Sequence, residues 1–161
     1  MTKTIYLAGG CFWGIEAYFG YIRGVVKTRV GYANSNVSNP SYEMVCYGDT
    51  NAVETVEILY DSNIISLDSI LGEFFSIIDP TTLNRQGNDI GTQYRSGIYF
   101  INEGDKEIIQ NYILNISSNY DKKILTEIRK LENFFEAESY HQKYLRKNPN
   151  GYCHIDLSKF I

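Results

Sequence analysis

The sequence predicts an α+β fold in two layers: a mixed β-sheet with helices packed on it, a split βαβ, ferredoxin-like core, long irregular loops and a C-terminal tail. Three observations lead there. Apolar residues switch repeatedly between a period of two and a period of 3.6, so short strands alternate with helices. Strand–helix–strand units occur twice. The 161 residues are the size of one domain, with no internal repeat or low-complexity tract.

Taken in order, residues 4–8 read as a buried strand that ends at Gly9-Gly10. From Cys11 the stripe Ile15, Tyr18, Phe19, Ile22 marks a helix running to Gly24. Val26, Thr28, Val30 and Tyr32 alternate with Lys27, Arg29 and Gly31 as a half-buried strand, and residues 34–40 are loop. Residues 53–60 form the next strand. Ser66 caps a helix carrying Ile70, Leu71, Phe74, Phe75, Ile77 and Ile78, which Asp79-Pro80 stops. Residues 80–94 show no periodicity, and a long segment of that kind in a small domain is commonly functional. Residues 95–101 are a strand, Asp105 opens a helix bearing Ile108, Ile109, Tyr112, Ile113 and Ile116, and residues 124–131 are the last strand. Residues 137–147 read as a short helix. The tail, residues 148–161, begins with Asn148-Pro149-Asn150-Gly151, a segment built to turn rather than to pack.

Composition narrows the function. Hydrophobic residues at 43% and charged residues at 21% are ordinary for a soluble globular protein. The net charge of −4 argues against a nucleic-acid partner and against a polybasic membrane contact. No apolar run approaches the ~18 residues of a membrane span, and the N-terminus is too polar for a secretory signal. Three cysteines (11, 46 and 153) are neither dense nor even, as a secreted disulfide scaffold would need. The expected compartment is the cytoplasm, with free thiols. Their spacing to His141 and His154 does not suit zinc, and Gly9-Gly10 lacks the spacing of a dinucleotide fingerprint. No coiled-coil pattern is present, and a monomer is expected.

The most informative stretch is Gly9-Gly10-Cys11-Phe12-Trp13-Gly14. A strand ends, two glycines turn the chain, and a cysteine stands where a helix begins. A helix N-terminus presents unpaired N–H groups and partial positive charge, so a thiolate there is favoured and the thiol pKa is expected below that of free cysteine. Phe12 and Trp13 place two aromatics beside the sulfur, a setting for a polarisable sulfur and its methyl. Taken alone, Cys11 reads equally well as a small buried hydrophobe.

Glu54 stands out by strand parity. It falls on the face that carries Val56, Ile58 and Tyr60, where a charged carboxylate is costly and tends to take up a proton. A carboxylic acid kept neutral near pH 7 can donate a hydrogen bond or a proton. A solvated position at a frayed strand start is the alternative.

The hexapeptide around Cys11 resembles the active-site motif of the peptide methionine sulfoxide reductase A family. Further blocks continue the resemblance in the family's order: Ser41-Tyr42-Glu43, Val45-Cys46, Gly48, Glu54, Asp79-Pro80-Thr81, the segment from Asn84 to Ser96, the segment from Ala137 to Leu145, and Asn148-Pro149-Asn150-Gly151-Tyr152-Cys153. The resemblance implies reduction of methionine S-sulfoxide, in oxidised proteins and as the free amino acid. It assigns Cys11 as nucleophile, Glu54, Tyr42 and Tyr94 as holders of the sulfoxide oxygen, and Asp89 as an orienting group. Phe12 and Trp13 would bind the substrate, and Cys153 would be the recycling thiol.

Attack by Cys11 would leave a sulfenic acid, which Cys153 would convert to a Cys11–Cys153 disulfide. No further cysteine follows in this sequence, so a two-cysteine cycle is implied, reset by thioredoxin or a small dithiol with no bound cofactor or metal. A sensing or sulfoxide-binding module that uses the same two thiols without turnover is the other reading. Cys46, flanked by Val45 and Tyr47, reads as a packed structural thiol. His141 and Gln142 are explained equally well by an exposed helix face. Asn51-Ala52-Val53 and Ile78 stand where the family usually has histidines, so no histidine base is expected.

Overall fold

The structure, a computed structural model, describes residues 1–160. β1 (Thr2–Ala8) leads into α1 (Phe12–Gly20), β2 (Val25–Ala33), α2 (Tyr42–Tyr47), β3 (Val53–Asp61) and α3 (Leu67–Ile77). A small hairpin of β4 (Arg85–Gln86) and β5 (Asp89–Ile90) precedes β6 (Gly97–Phe100), α4 (Glu103–Ile116), β7 (Glu127–Lys130), β8 (Phe134–Glu136) and α5 (Tyr144–Lys147).

The main sheet has the order β7-β6-β1-β3-β2-β8, antiparallel except for the β6–β7 pair. β3 therefore lies between β1 and β2, and β1 lies between β3 and β6. Each of β1-α1-β2 and β3-α3-β6 is a split βαβ, which is the ferredoxin-like core expected from the sequence. Strand parity holds as well: Ile5, Leu7, Val30, Val56, Ile58, Tyr60, Ile98 and Phe100 face one core with Ile15, Phe19, Ile70, Phe74 and Ile109 of the helices. A smaller cluster of Tyr6, Ala8, Ala33, Val53 and Tyr99 covers the other face, with Phe134 and Leu131 packed on it.

Several boundaries differ from the expectation, for local reasons. β2 carries an irregularity between Val25 and Lys27, which leaves Val26 in solvent although it continues the alternation. Asn102, not Asp105, caps α4, its side chain accepting from the Gly104 amide at 3.0 Å. Residues 80–94 hold the β4–β5 hairpin and a 3₁₀ turn at Thr92–Tyr94. The expected helix over 137–147 is broken instead into a 3₁₀ turn at Ser139–His141 and the single turn of α5, because Lys143 between them adopts φ 54°. That conformation delivers the Lys143 amide to Glu16 Oε1 at 2.7 Å, on a carboxylate buried in α1. Gln142 meanwhile acts as an edge patch for β2. It accepts from the Val30 amide (3.0 Å) and donates to the carbonyls of Val30 (2.8 Å) and Ala137 (3.0 Å). No helix among the described residues is long and apolar enough to cross a membrane.

Candidate active site

The site gathers at the end of β1, where Gly10 turns the chain with φ +88° and Cys11 becomes the N-cap residue of α1. Neighbouring chain approaches that turn closely: a Cβ on Gly10 would meet Gln86 at 2.7 Å and His154 at 2.9 Å. Cys11 is 8% exposed. On the adjoining strand, Tyr32 pairs with Glu54, so the acid projects to the helix side of the sheet, as parity requires.

Glu54 is 1% exposed. Its Oε1 accepts the Phe12 amide at 3.2 Å, while its Oε2 is buried without a partner. Burial lifts its pKa to about 8, with the Phe12 amide opposing and the negative charge of Asp89 adding. Near pH 7 the carboxyl holds its proton, as the sequence reading expects.

The thiol behaves differently from expectation. Burial, followed by the charge of Glu54, pushes the Cys11 thiol well above its ordinary range, and the Trp13 amide at the helix end opposes this only in part. The helix terminus is present, but it does not outweigh desolvation and two neighbouring carboxylates. The resting thiol is therefore protonated. With Glu54 neutral, the second largest opposing influence vanishes, and burial and the Asp89 charge remain against the helix end.

Tyr42 opens α2, and Tyr94 closes the Thr92–Tyr94 turn. Both phenols are held well above their usual range by burial and keep their protons; Glu54 adds to both, and Cys11 to Tyr94. Glu138 fixes the approach of α2, accepting the Tyr42 amide at 3.0 Å and the Tyr32 hydroxyl at 2.8 Å. Asp89, on β5, acts on Cys11 and Glu54 through its charge and accepts from the Tyr152 hydroxyl at 3.1 Å.

His141 belongs to this neighbourhood, contrary to an exposed helix face. It is 1% exposed and accepts the Trp13 indole N–H at Nδ1 (3.0 Å). Phe12 and Tyr42 pack around it at 5.2 and 4.7 Å, and Trp13 in turn stacks on Tyr144 at 3.7 Å. Burial pulls its pKa down, so the ring is a neutral wall of the aromatic niche. Cys46 also corrects the sequence reading. It is exposed, because α2 turns Val45 inward and leaves Cys46 on its outer face, beside Tyr42.

Cys153 completes the arrangement. The tail runs back over α1, and a Cβ on Gly14 would stand 3.2 Å from the Cys153 sulfur. Gly14 lies one helical turn from Cys11, so the second thiol rests on the same end of the helix as the first. All three cysteines are free, and the Cys153 thiol donates to the Ile155 carbonyl at 3.2 Å. Ala52 and Ile78, at the positions where histidines were missing, pack with the apolar core.

A buried acid that keeps its proton, beside a thiol with a second thiol in reserve, suits removal of oxygen from an oxidised sulfur. That puts the fold among thiol-dependent oxidoreductases. Residues 3–161 match the family described as "Peptide methionine sulfoxide reductase", and the chain belongs to that family. It is 59% identical over 153 residues to "Peptide methionine sulfoxide reductase MsrA" of Mycoplasma genitalium, covering 95% of this chain and 98% of that one. Its structure is similar to Mxr1 of Saccharomyces cerevisiae in reduced form, with TM-score 0.92 at 40% identity over 97% of this chain and 92% of that one. The same yeast protein in complex with Trx2 gives TM-score 0.64 at 26% identity, over 89% and 84%. The chain is accordingly an enzyme of the MsrA type that reduces methionine sulfoxide.

Proposed function

We propose that residues 1–161 act as one catalytic domain that reduces methionine S-sulfoxide, peptide-bound or free, through Cys11 and Cys153. The observation that carries this reading is the buried, partnerless Oε2 of Glu54 beside the Cys11 turn. An acid of raised pKa with one oxygen unoccupied is suited to donate to a sulfoxide oxygen. The phenols of Tyr42 and Tyr94 are further donors to that oxygen, and Phe12 and Trp13 receive the S-methyl group. Asp89 orients the network.

Cys11 sulfur attacks the sulfoxide sulfur as Glu54 protonates the oxygen, and the proton lost by the thiol restores Glu54. The transient bond between the two sulfurs and the sulfur–oxygen bond of the substrate then break as the hydroxyl passes to the Cys11 sulfur; methionine leaves reduced by two electrons, and Cys11 carries the oxygen as a sulfenic acid. Cys153 then attacks the Cys11 sulfur. A sulfur–sulfur bond forms, and the hydroxyl leaves as water with the Cys153 proton. A dithiol returns both cysteines to thiols by exchange, with thioredoxin supported by the yeast Mxr1–Trx2 complex.

The test is turnover of the separated sulfoxide epimers with thioredoxin, its reductase and NADPH. The S epimer is expected to be turned over many times and the R epimer not at all. A single methionine per chain with thioredoxin present would favour the non-turnover sensor instead.

A further inference from the structure

His154 is a buried polar group that the chemistry above leaves unused. Its side chain is 8% exposed, and its ring crosses the turn that presents Cys11. Nε2 lies 2.9 Å from the Gly9 carbonyl, and a carbonyl can only accept, so Nε2 carries the proton. Nδ1 is buried without a hydrogen-bond partner and faces Asp89 Oδ2 at 4.0 Å. Tyr152, on the other side of Cys153, donates to the same Asp89 oxygen at 3.1 Å. The two residues that flank the second thiol thus both address groups of the active site.

We propose that His154 is a positioning residue for the recycling half of the reaction: bonded to the Gly9 carbonyl, with neighbouring Tyr152 bonded to Asp89, it docks the Cys153 segment across the Cys11 turn, so that the disulfide closes from a docked strand rather than a loose tail. The proposal rests on the assignment of Cys153 as recycling thiol. A disulfide forms only when the two Cα atoms come within ~7 Å, and a docked segment is present at higher effective concentration than a free one. His154 takes no part in sulfoxide reduction itself.

The test separates the two halves. The reduced full-length chain is mixed with a peptide methionine S-sulfoxide, and methionine release and loss of free thiols are followed in time without a reductant. His154→Ala is expected to release its first methionine within about twofold of the unmodified rate, while disulfide closure slows about tenfold or more. The sulfenic acid then accumulates and is trapped by dimedone. His154→Gln, whose amide N–H can still donate to the Gly9 carbonyl, is expected to recover most of the closure rate. Closure at the unmodified rate in His154→Ala overturns the proposal. So does a proportional loss of both steps, which would mark His154 as a support of the whole site. Absence of any methionine burst in the unmodified chain would instead overturn the reading of Cys11 on which the proposal rests.

Discussion

The Phe12 amide donates to Oε1 of Glu54 across 3.2 Å, and this one bond ties the first turn of α1 to the middle of the sheet. It holds one carboxyl oxygen and leaves the other, Oε2, buried and free. Glu54→Gln keeps the shape but loses the acid. The first-turnover rate is expected to fall roughly a hundredfold or more, within the usual range for a general acid. Rapid-quench measurement of methionine release checks this, and an unchanged burst would remove Glu54 from the chemistry.

The pH dependence follows from the same group. With its pKa raised to about 8, Glu54 supplies the proton below that value and loses it above, so the first-turnover rate should fall as pH rises through about 8. Glu54→Gln should lack this limb.

Stability carries the opposite sign from an ordinary carboxylate. The folded chain holds a proton that the unfolded chain releases between pH 4.5 and about 8, so raising pH across that window weakens the folded state. The Tm of Glu54→Gln minus that of the unmodified chain should grow from pH 4.5 to about 8 and then level off. A difference independent of pH would show that Glu54 is not protonated in the folded protein.

Cys11 should be slow to alkylate in the resting enzyme, because burial opposes its ionisation at any pH and the Glu54 charge joins in above about pH 8. Above pH 8, where Glu54 is charged, Glu54→Gln should alkylate several times faster than the unmodified chain. Mass spectrometry of iodoacetamide-treated protein reads this directly. Cys11→Ser should release no methionine, whereas Cys153→Ser should release one equivalent and then stall with thioredoxin.

Gln142 should matter for stability rather than for chemistry. Its amide meets the N–H and C=O of Val30 and the C=O of Ala137; Gln142→Ala leaves the Val30 N–H unpaired and takes the Gln142 donor from the Ala137 carbonyl, while the Val30 carbonyl keeps the Ala137 amide. A loss of about 1–3 kcal/mol is expected from denaturant unfolding, the cost of an orphaned buried group.

What the sequence made legible follows the reach of its periodicities. Glu54 stands out because a strand repeats every two residues, and the core strands and the longer helices are strongly patterned. α2 and β8 escape notice because six and three residues are too short to display a period. The facing of Cys46 is hidden for the same reason. Tyr42, Tyr94 and Asp89 cannot be picked from 14 tyrosines and a polar loop without the family's motifs. The lowered Cys11 pKa expected from sequence is not found, because a helix terminus is visible in sequence while the depth of burial opposing it is not. His154 meets Gly9 across a separation no local pattern spans.

Beyond Cys153 the chain is fastened again: Phe160 stacks on Tyr21 at 4.8 Å, and Lys159 donates to the Tyr18 hydroxyl at 2.6 Å. The cysteine is thus carried on a bridge moored at both banks. In the proposed cycle, oxidation would need only to bow that bridge toward the helix, and reduction would return it to the same berth. Each catalytic round can then begin from one defined geometry rather than from a search by a dangling end.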